Sequence, residues 1–98
     1  MSRIAHKVDC NQLEIKLALI AAGYTVWDMS ASGFGVPDLL VASKKDAFVF
    51  LEVKQKNGKL TVKETLFFMD FELCPVYTVR SIEDALEAMR IEDNRLWQ

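Results

Sequence analysis

The sequence predicts an α/β domain in which a small mixed sheet is flanked by helices, in the order α-β-β-β-α-β-α. Three observations predict this class. Segments with helical apolar spacing alternate with short runs of β-branched and aromatic residues, one of those runs is apolar throughout, and Gly or Pro stands at several boundaries. The length of 98 residues fits one domain, so residues 1–98 are expected to fold as a single unit.

The first helix is expected to start at an N-cap, either Asp9 or Asn11, and to run to about Ala22. Gly23 then ends it, because glycine readily adopts the left-handed conformation that closes a helix. Its apolar residues recur at helical spacing and are expected to face inward: Leu13, Leu17 and Ile20, with Ile15 and Leu19 beside them.

Three strands are expected in the middle of the chain. Residues 24–27 are β-branched or aromatic and predict the first strand. A loop of small residues and breakers over 30–37 leads to the second strand at 38–42, and a turn at 44–46 leads to the third at 47–54. Residues 47–51 are all apolar, so both faces of this third strand are expected to be buried, as in a central strand.

Two helices and one strand complete the prediction. After a turn at 56–59, Thr61 caps a second helix that runs to about residue 71, and Glu64 completes a capping box with it. Pro75 introduces a strand over 76–79. Ser81 caps the last helix, whose first turn contains Glu83 and Asp84, where the helix dipole favours acids.

Composition limits the class of protein. Apolar residues make up 51% of the chain and charged residues 27%, which is typical of a globular protein. The apolar runs are too short to cross a bilayer, and the first residues do not resemble a signal peptide, so we expect a cytoplasmic protein with no membrane partner. Cys10 and Cys74 are expected to be buried thiols rather than a disulfide framework.

The basic residues are concentrated in one stretch. The net charge of −2 excludes a protein whose whole surface is basic, yet six of the twelve Lys and Arg residues lie together: Lys44, Lys45, Lys54, Lys56, Lys59 and Lys63. A basic patch on an acidic body attracts a polyanion to one face. A solvated lysine-rich loop fits the same pattern.

Two carboxylates and an ammonium are expected to converge. Proline in Gly35-Val36-Pro37 presents Asp38 at the start of the second strand. Residues i and i+2 of a strand share a face, so Glu52 and Lys54 lie together while Val53 enters the core. The turn between the second and third strands is equidistant from Asp38 and Glu52, which places them side by side in an antiparallel hairpin. An ordinary turn aspartate and a salt bridge at a strand end are the alternatives.

This arrangement indicates a metal site. Two like charges held close need a cation, and oxygen ligands select Mg²⁺ or Mn²⁺. Such an ion activates water and stabilises charge on a phosphate, and Lys54 would orient that water or neutralise the developing charge. Glu14, among apolar neighbours on the first helix, would add another carboxylate; a solvent-facing glutamate is the alternative.

Together these residues resemble a known family. Glu14, Gly35-Val36-Pro37-Asp38-Leu39, Glu52-Val53-Lys54 and Gly58-Lys59-Leu60-Thr61 are similar to the VRR-NUC (virus-type replication-repair nuclease) branch of the PD-(D/E)xK superfamily, over nearly the whole chain. The short length is similar to that of phage or prophage members. The resemblance implies a restriction-endonuclease-like core, dependence on Mg²⁺ or Mn²⁺, and cleavage of DNA phosphodiesters.

The resemblance also implies finer details. The backbone carbonyl of Val53 would be a further metal ligand, and Glu14 would bind a second ion or act through water. Small members act as homodimers, and branched DNA is a candidate substrate. In the family the helix after the ExK motif commonly starts with a glutamine, whereas Glu64 stands nearest that position here, which leaves its role open.

DNA is expected to contact the lysines and the small-residue loop. The predicted contacts are Lys44, Lys45, Lys56, Lys59 and Lys63, together with Ser32 and Gly33 of the loop at 30–35. Tyr77 and Arg80 are further candidates, although an edge-strand tyrosine and a surface arginine are favoured. Two other functions stay open: a catalytically silent DNA-binding or assembly module, and a small interaction domain.

A homodimer is expected from the second helix. It has one apolar stripe at Val62, Leu66 and Met69 and another at Phe67 and Phe71. A surface helix needs one stripe for its own core, and a second usually meets a partner. The alternative is that the flanking helices cover both stripes within one chain.

Overall fold

The computed structural model describes residues 3–45, 47–71 and 74–95, with only the backbone described for residues 3–10. Its elements are α1 (Arg3–Ala21), β1 (Thr25–Asp28), a short 3₁₀ helix (Ser30–Ser32), β2 (Leu39–Ala42), β3 (Phe48–Val53), α2 (Val62–Asp70), β4 (Val76–Val79) and α3 (Ile82–Asp93). The predicted order of helices and strands is confirmed. Asp46, in the predicted turn at 44–46, lies outside the described residues.

The four strands form one mixed sheet in the order β1-β2-β3-β4. β1 pairs with β2 and β2 with β3 in antiparallel fashion, whereas β3 and β4 are parallel. β3 therefore lies between two neighbours, as predicted for a central strand. Burial on both faces was expected as well, and this is wrong at the start of the strand, where Phe48 is 64% exposed.

The main core lies between one face of the sheet and the helices α1 and α3. Ile15 and Leu19 of α1 are fully buried there, and the other members are Leu39, Val41, Val49, Leu51, Val53, Val79, Ala85, Ala88 and Met89. The placement of Val53 in the core confirms the predicted alternation at the end of β3. This core stabilises the sheet from one side, so residues on the opposite face are available for a functional site.

The orientation predicted for α1 is wrong. Leu13, Leu17 and Ile20 are 53%, 55% and 47% exposed, and they form an apolar stripe on the surface. The inward face instead contains the buried Gln12, whose side-chain Nε2 donates to Asp28 Oδ2 at 3.1 Å. The helix also begins at Arg3, so neither Asp9 nor Asn11 is its N-cap.

α2 lies on the opposite face of the sheet. The rings of Phe67 and Phe71 stack with centroids 4.3 Å apart and meet the ring of Phe50 at 5.3 and 5.9 Å. The predicted capping box is confirmed, because Thr61 Oγ1 accepts from the Glu64 N–H and Glu64 Oε1 accepts from the Thr61 N–H. No residue of α2 is fully buried. This helix is thus held by its cap and by aromatic contacts.

The C-terminal end of α3 is fixed by polar contacts. The fully buried Glu92 accepts from the hydroxyl of Tyr77 and from Arg95, while Asp93 accepts from the hydroxyl of Tyr24 and from the Lys44 N–H. These bonds tie α3 to β4 and to the β2–β3 turn. The predicted cap at Ser81 is confirmed.

Two further expectations concern the cysteines and membranes. Cys74 is exposed, so its predicted burial is wrong, because it lies in the connection before β4 and not in an element that packs. The side chain of Cys10 lies outside the described part of the chain. None of the helices seen in the described ranges has the length and apolar character that a membrane span requires.

Candidate active site

Asp38 and Glu52 lie side by side at the open end of the β2–β3 hairpin. Leu39 pairs with Leu51 across the two strands, so the next pair outward is Asp38 with Glu52, as the spacing predicts. Asp38 is fixed there because its Oδ2 accepts the backbone N–H of Val53 at 2.8 Å. The two carboxylates therefore share one face and one end of the sheet.

Glu52 is the more buried of the pair. Its side chain is 3% exposed, and within the described residues its Oε1 has no hydrogen-bond partner. Burial, reinforced by the negative charges of Asp38 and Glu64, raises the pKa of Glu52 to about 9. Burial also raises the pKa of Asp38, although the Val53 N–H opposes that change. At neutral pH Glu52 therefore holds a proton unless a cation replaces it.

Lys54 supplies the positive charge of the site. Its Nζ lies 2.8 Å from Glu64 Oε1 and 3.6 Å from Glu52 Oε2. Burial acts to lower the pKa of Lys54, but the contacts with Glu64, Glu52 and Asp38 outweigh it and the pKa is raised. Lys54 is therefore an ammonium at neutral pH, and its role is electrostatic.

Glu64, whose role the sequence left open, belongs to both α2 and the site. The same oxygen, Oε1, accepts the Thr61 N–H at 2.8 Å and the Lys54 ammonium at 2.8 Å. Burial acts to raise the pKa of Glu64, but Lys54 and the Thr61 N–H lower it overall. The N-terminus of α2 thus holds Lys54 in place.

These groups open into a cavity of about 540 Å³. It is lined by Asp38, Glu52, Val53, Lys54, Gln55, Lys56, Asn57, Gly58 and Glu64. The residues of the ExK motif and of the turn that follows it therefore line one continuous surface of the cavity. Its volume falls within the range of ordinary ligand pockets, about 300–1,000 Å³.

The donors that a divalent ion would meet in this cavity are carboxylates. Across residues 3–45, 47–71 and 74–95, no three His, Cys, Asp or Glu side chains are arranged as a ready-made metal-binding group. Asp38 and Glu52 nevertheless offer two carboxylates, and no hydrogen bond within the described residues occupies the buried Oε1 of Glu52. Mg²⁺ is commonly bound by one or two carboxylates plus water, so the donors present fit such an ion.

The structure does not bring Glu14 to the cavity. Glu14 is exposed on α1 and is absent from the lining residues, because α1 turns a different face to the sheet than the apolar spacing suggested. Asn11 of α1 does not line the cavity either, but its Nδ2 donates a long hydrogen bond, 3.4 Å, to the backbone carbonyl of Lys54. Sequence reasoning missed it; the signal was Asn11 next to Gln12 on the face of Ile15.

Arg80 holds the turn that lines the cavity. Its guanidinium donates to the carbonyls of Gln55 at 2.7 Å and Gly58 at 2.6 Å. Arg80 is exposed, as expected for a surface arginine, and its side chain also fixes the backbone around Lys56. The hydroxyl of Tyr77, the other residue considered for DNA contact, is engaged by Glu92.

The predicted basic patch is divided between two ends of the molecule. Lys56 lines the cavity, and Lys59 and Lys63 follow it in the turn and in the first turn of α2. Lys44 and Lys45 lie in the β2–β3 turn, at the other end of the hairpin from Asp38. A strand rises about 3.3 Å per residue, so four residues of β2 place the two groups at least about 13 Å apart.

The loop predicted to touch DNA lies beside the site. Ser32 and Gly33 are exposed just before Phe34 and Gly35, and residues 33–35 all have positive φ, of 68°, 58° and 82°. A Cβ atom on Gly35 would lie 2.4 Å from the carbonyl oxygen of Lys63, so only glycine allows this approach to α2. The loop is thereby fixed against the helix that holds Lys54.

Comparison of the chain with protein-family models, with curated proteins and with solved structures finds no match in any of the three. The function of the chain is therefore inferred from the chemistry of the cavity.

Proposed function

We propose that this chain is a divalent-metal-dependent DNA endonuclease that hydrolyses phosphodiester bonds, with a preference for branched or otherwise distorted DNA. The observation that carries the proposal is the pairing of Asp38 with the buried Glu52, whose Oε1 has no partner among the described residues, next to the ammonium of Lys54. The arrangement is that expected for a PD-(D/E)xK nuclease, and the mixed four-stranded sheet is compatible with a restriction-endonuclease-like core.

Each residue has a defined part in this proposal. Asp38 and Glu52 would hold Mg²⁺ or Mn²⁺, with the Val53 carbonyl as a further ligand by the family resemblance. Such an ion, when bound, lowers the pKa of water and neutralises charge on a phosphate. Lys54 places a positive charge where negative charge develops on the phosphate, and Glu64 keeps that ammonium in position.

Glu14 has a weaker claim than the other candidates. Its exposed position on α1 gives it no contact with the cavity, so it is not assigned a ligand role. The contact of α1 with this region is the hydrogen bond from Asn11 Nδ2 to the backbone carbonyl of Lys54.

A catalytically silent DNA-binding or assembly module is the second candidate. It would keep the fold and the basic residues but would not need two acidic side chains close together in a buried place. Burial beside Asp38 and Glu64 disfavours the charged form of Glu52, and a function that binds a metal would account for a carboxylate at this position.

The test is a cleavage screen with purified protein on single strands, duplex, flaps and four-way junctions, in Mg²⁺ and in Mn²⁺. We expect Lys54→Ala to lower the rate by about 10²–10³-fold, because one preorganised electrostatic group is removed. The matched control is Arg90→Ala, which removes an exposed basic side chain of α3 that does not line the cavity and is not among the predicted DNA contacts. Turnover by Lys54→Ala near that of the wild type would refute the assignment.

Metal binding is measured separately by calorimetry with Mn²⁺. Asp38→Asn should bind the ion much more weakly than the wild type, since one of two carboxylates is removed. Equal binding by both proteins would remove the metal site from the proposal. Binding of metal and DNA without cleavage of any substrate would favour the silent module.

A further inference from the structure

Phe34 is an aromatic residue whose side chain is not part of the hydrophobic core. It is 85% exposed, and its φ of 58° lies in the left-handed region that a bulky residue rarely adopts. The ammonium of Lys63 lies 5.7 Å from the centroid of this ring. An apolar ring held in strained backbone and turned to solvent is unfavourable for folding, which points to a use outside the domain.

The position of Phe34 is fixed relative to the site. It stands four residues before Asp38, and the next residue, Gly35, is seated on the first turn of α2. An added Cβ on Gly35 would lie 3.0 Å from the backbone nitrogen of Glu64, whose carboxylate holds Lys54 at 2.8 Å. The loop that carries the ring is thus anchored to the helix that holds Lys54.

We propose that Phe34 stacks on an exposed nucleobase of the DNA next to the phosphodiester that is cleaved. This inference rests on the proposed nuclease function and names the feature of the substrate that the site selects. Every base has a π-face that can stack on an aromatic ring, and Lys63 beside the ring would hold the adjoining phosphate. In a continuous duplex both faces of each base are covered by neighbours, so the ring favours DNA with a base left open at a gap, an end or a branch point.

The experiment measures binding of DNA that carries 2-aminopurine either unpaired in a gap or stacked within a continuous duplex. Binding is followed by fluorescence in EDTA and in Ca²⁺. The wild type should bind the gapped DNA more tightly and change the 2-aminopurine signal. Phe34→Asn and Phe34→Leu should weaken binding of the gapped DNA by about tenfold and leave the continuous duplex unaffected, whereas Phe34→Trp should retain the preference.

Two controls separate stacking from folding. Asn adopts left-handed backbone more readily than Phe, so Phe34→Asn should have a thermal midpoint at or above that of the wild type while its affinity falls. Phe48→Leu changes another exposed ring, 64% exposed, at the start of β3 and away from the cavity, and should bind like the wild type.

The outcomes distinguish this inference from the proposed function. If the wild type cleaves DNA but Phe34→Asn shows the same preference for gapped DNA, the stacking role is overturned and the nuclease proposal stands. If the wild type neither binds nor cleaves any of these DNAs, both fall. A loss of affinity in Phe48→Leu equal to that in Phe34→Leu would also overturn the role of Phe34, because the effect would not depend on the loop.

Discussion

Glu52 has opposite effects on stability and on the proposed chemistry: its burial disfavours the charged carboxylate, which is the form that would bind a metal. It is 3% exposed beside Asp38, and its pKa of about 9 means that the metal-free protein keeps it protonated. In the unfolded chain the same group ionises near its ordinary value of 4.5. Unfolding therefore releases a proton between these two pH values, and the stability contributed by protonated Glu52 is lost as the pH rises through this window.

Glu52→Gln should stabilise the metal-free protein. At pH 8 in EDTA glutamine stays neutral without binding a proton, so the midpoint of thermal unfolding should rise, with about 4–8 °C expected for each kcal/mol in a domain of this size. The dependence of the midpoint on pH between about 5 and 9 should become flatter. Addition of Mn²⁺ should stabilise the wild type but not the variant, because a neutral amide is a poorer ligand than a carboxylate.

Glu14→Gln is the matched control for that measurement. Glu14 is exposed on α1, so its replacement should leave both the pH dependence and the effect of Mn²⁺ as in the wild type. A Glu52→Gln protein that is less stable than the wild type at pH 8 would contradict the account of Glu52. If Mn²⁺ no longer stabilises Glu14→Gln, Glu14 is a metal ligand after all.

At this scale the sequence predicts some residues well and others poorly. Asp38, Glu52 and Lys54 were predictable, because the register of a short hairpin follows from the position of its turn and the alternation of a strand follows from its geometry. Glu14 was not, because the placement of a helical residue depends on which face of the helix is buried. Glu64 was recognised as a cap, but its bond to Lys54 depends on how α2 packs against β3.

At the scale of the element, α1 shows why helical spacing alone is insufficient. Two sets of apolar residues lie on it, and the longer stripe at Leu13, Leu17 and Ile20 is the exposed one. The buried set, Ile15 and Leu19, is accompanied by Gln12, which bonds to Asp28 in β1. The buried face thus combines two apolar residues with a polar one whose partner lies in β1, and that partner is invisible in the local pattern.

α2 should form the interface of a homodimer. Phe67 packs on Phe50 within the chain, while Leu66 of the other stripe remains 52% exposed. The exposed ring of Trp27 extends this apolar face across the sheet, because Trp27 pairs with Leu40 and Leu40 with Phe50. Leu66→Glu should therefore convert a dimer into a monomer of 11.2 kDa, as light scattering at micromolar concentration would show.

Leu17→Glu is the control for the interface. Leu17 is 55% exposed on the stripe of α1, on the other side of the sheet, so this change should leave the dimer intact. If Leu17→Glu and not Leu66→Glu gives monomers, the interface is on α1. A wild type that is monomeric and fully active would mean that neither stripe serves a dimer.

At the scale of the whole molecule, the β2–β3 hairpin separates the lysines into two groups. Lysines that are neighbours in the sequence lie at opposite ends of β2 and β3, because a hairpin separates its turn from its open end. We expect phosphate contacts chiefly from Lys56, Lys59 and Lys63. Lys56→Glu with Lys59→Glu should weaken DNA binding and lower the dependence on salt by about 0.9 in slope for each phosphate that is no longer bound, measured from about 50 to 200 mM salt.

Lys44→Glu with Lys45→Glu makes the same change in charge at the far end of the hairpin. Because Lys44 already lies over the ring of Tyr24, at 4.9 Å from its centroid, this pair should have the smaller effect on affinity and slope. Equal effects of the two double variants would mean that DNA spans the length of the hairpin. If Lys56→Glu with Lys59→Glu changes neither the affinity nor the salt slope, the turn at 56–59 does not contact DNA.

The way α2 is attached has a consequence for amide hydrogen exchange. The helix has no fully buried residue. Among its contacts with the rest of the chain are the packing of Phe67 on Phe50, the close approach of Gly35 to the backbone of Lys63, and the ion pair of Glu64 with Lys54. Segments with few buried contacts open locally at a lower free energy than the core, so α2 should exchange its amide protons before β3 does. Each such opening releases Lys54 from Glu64 while Asp38 and Glu52 stay paired. The site can therefore come apart and re-form while the sheet remains folded.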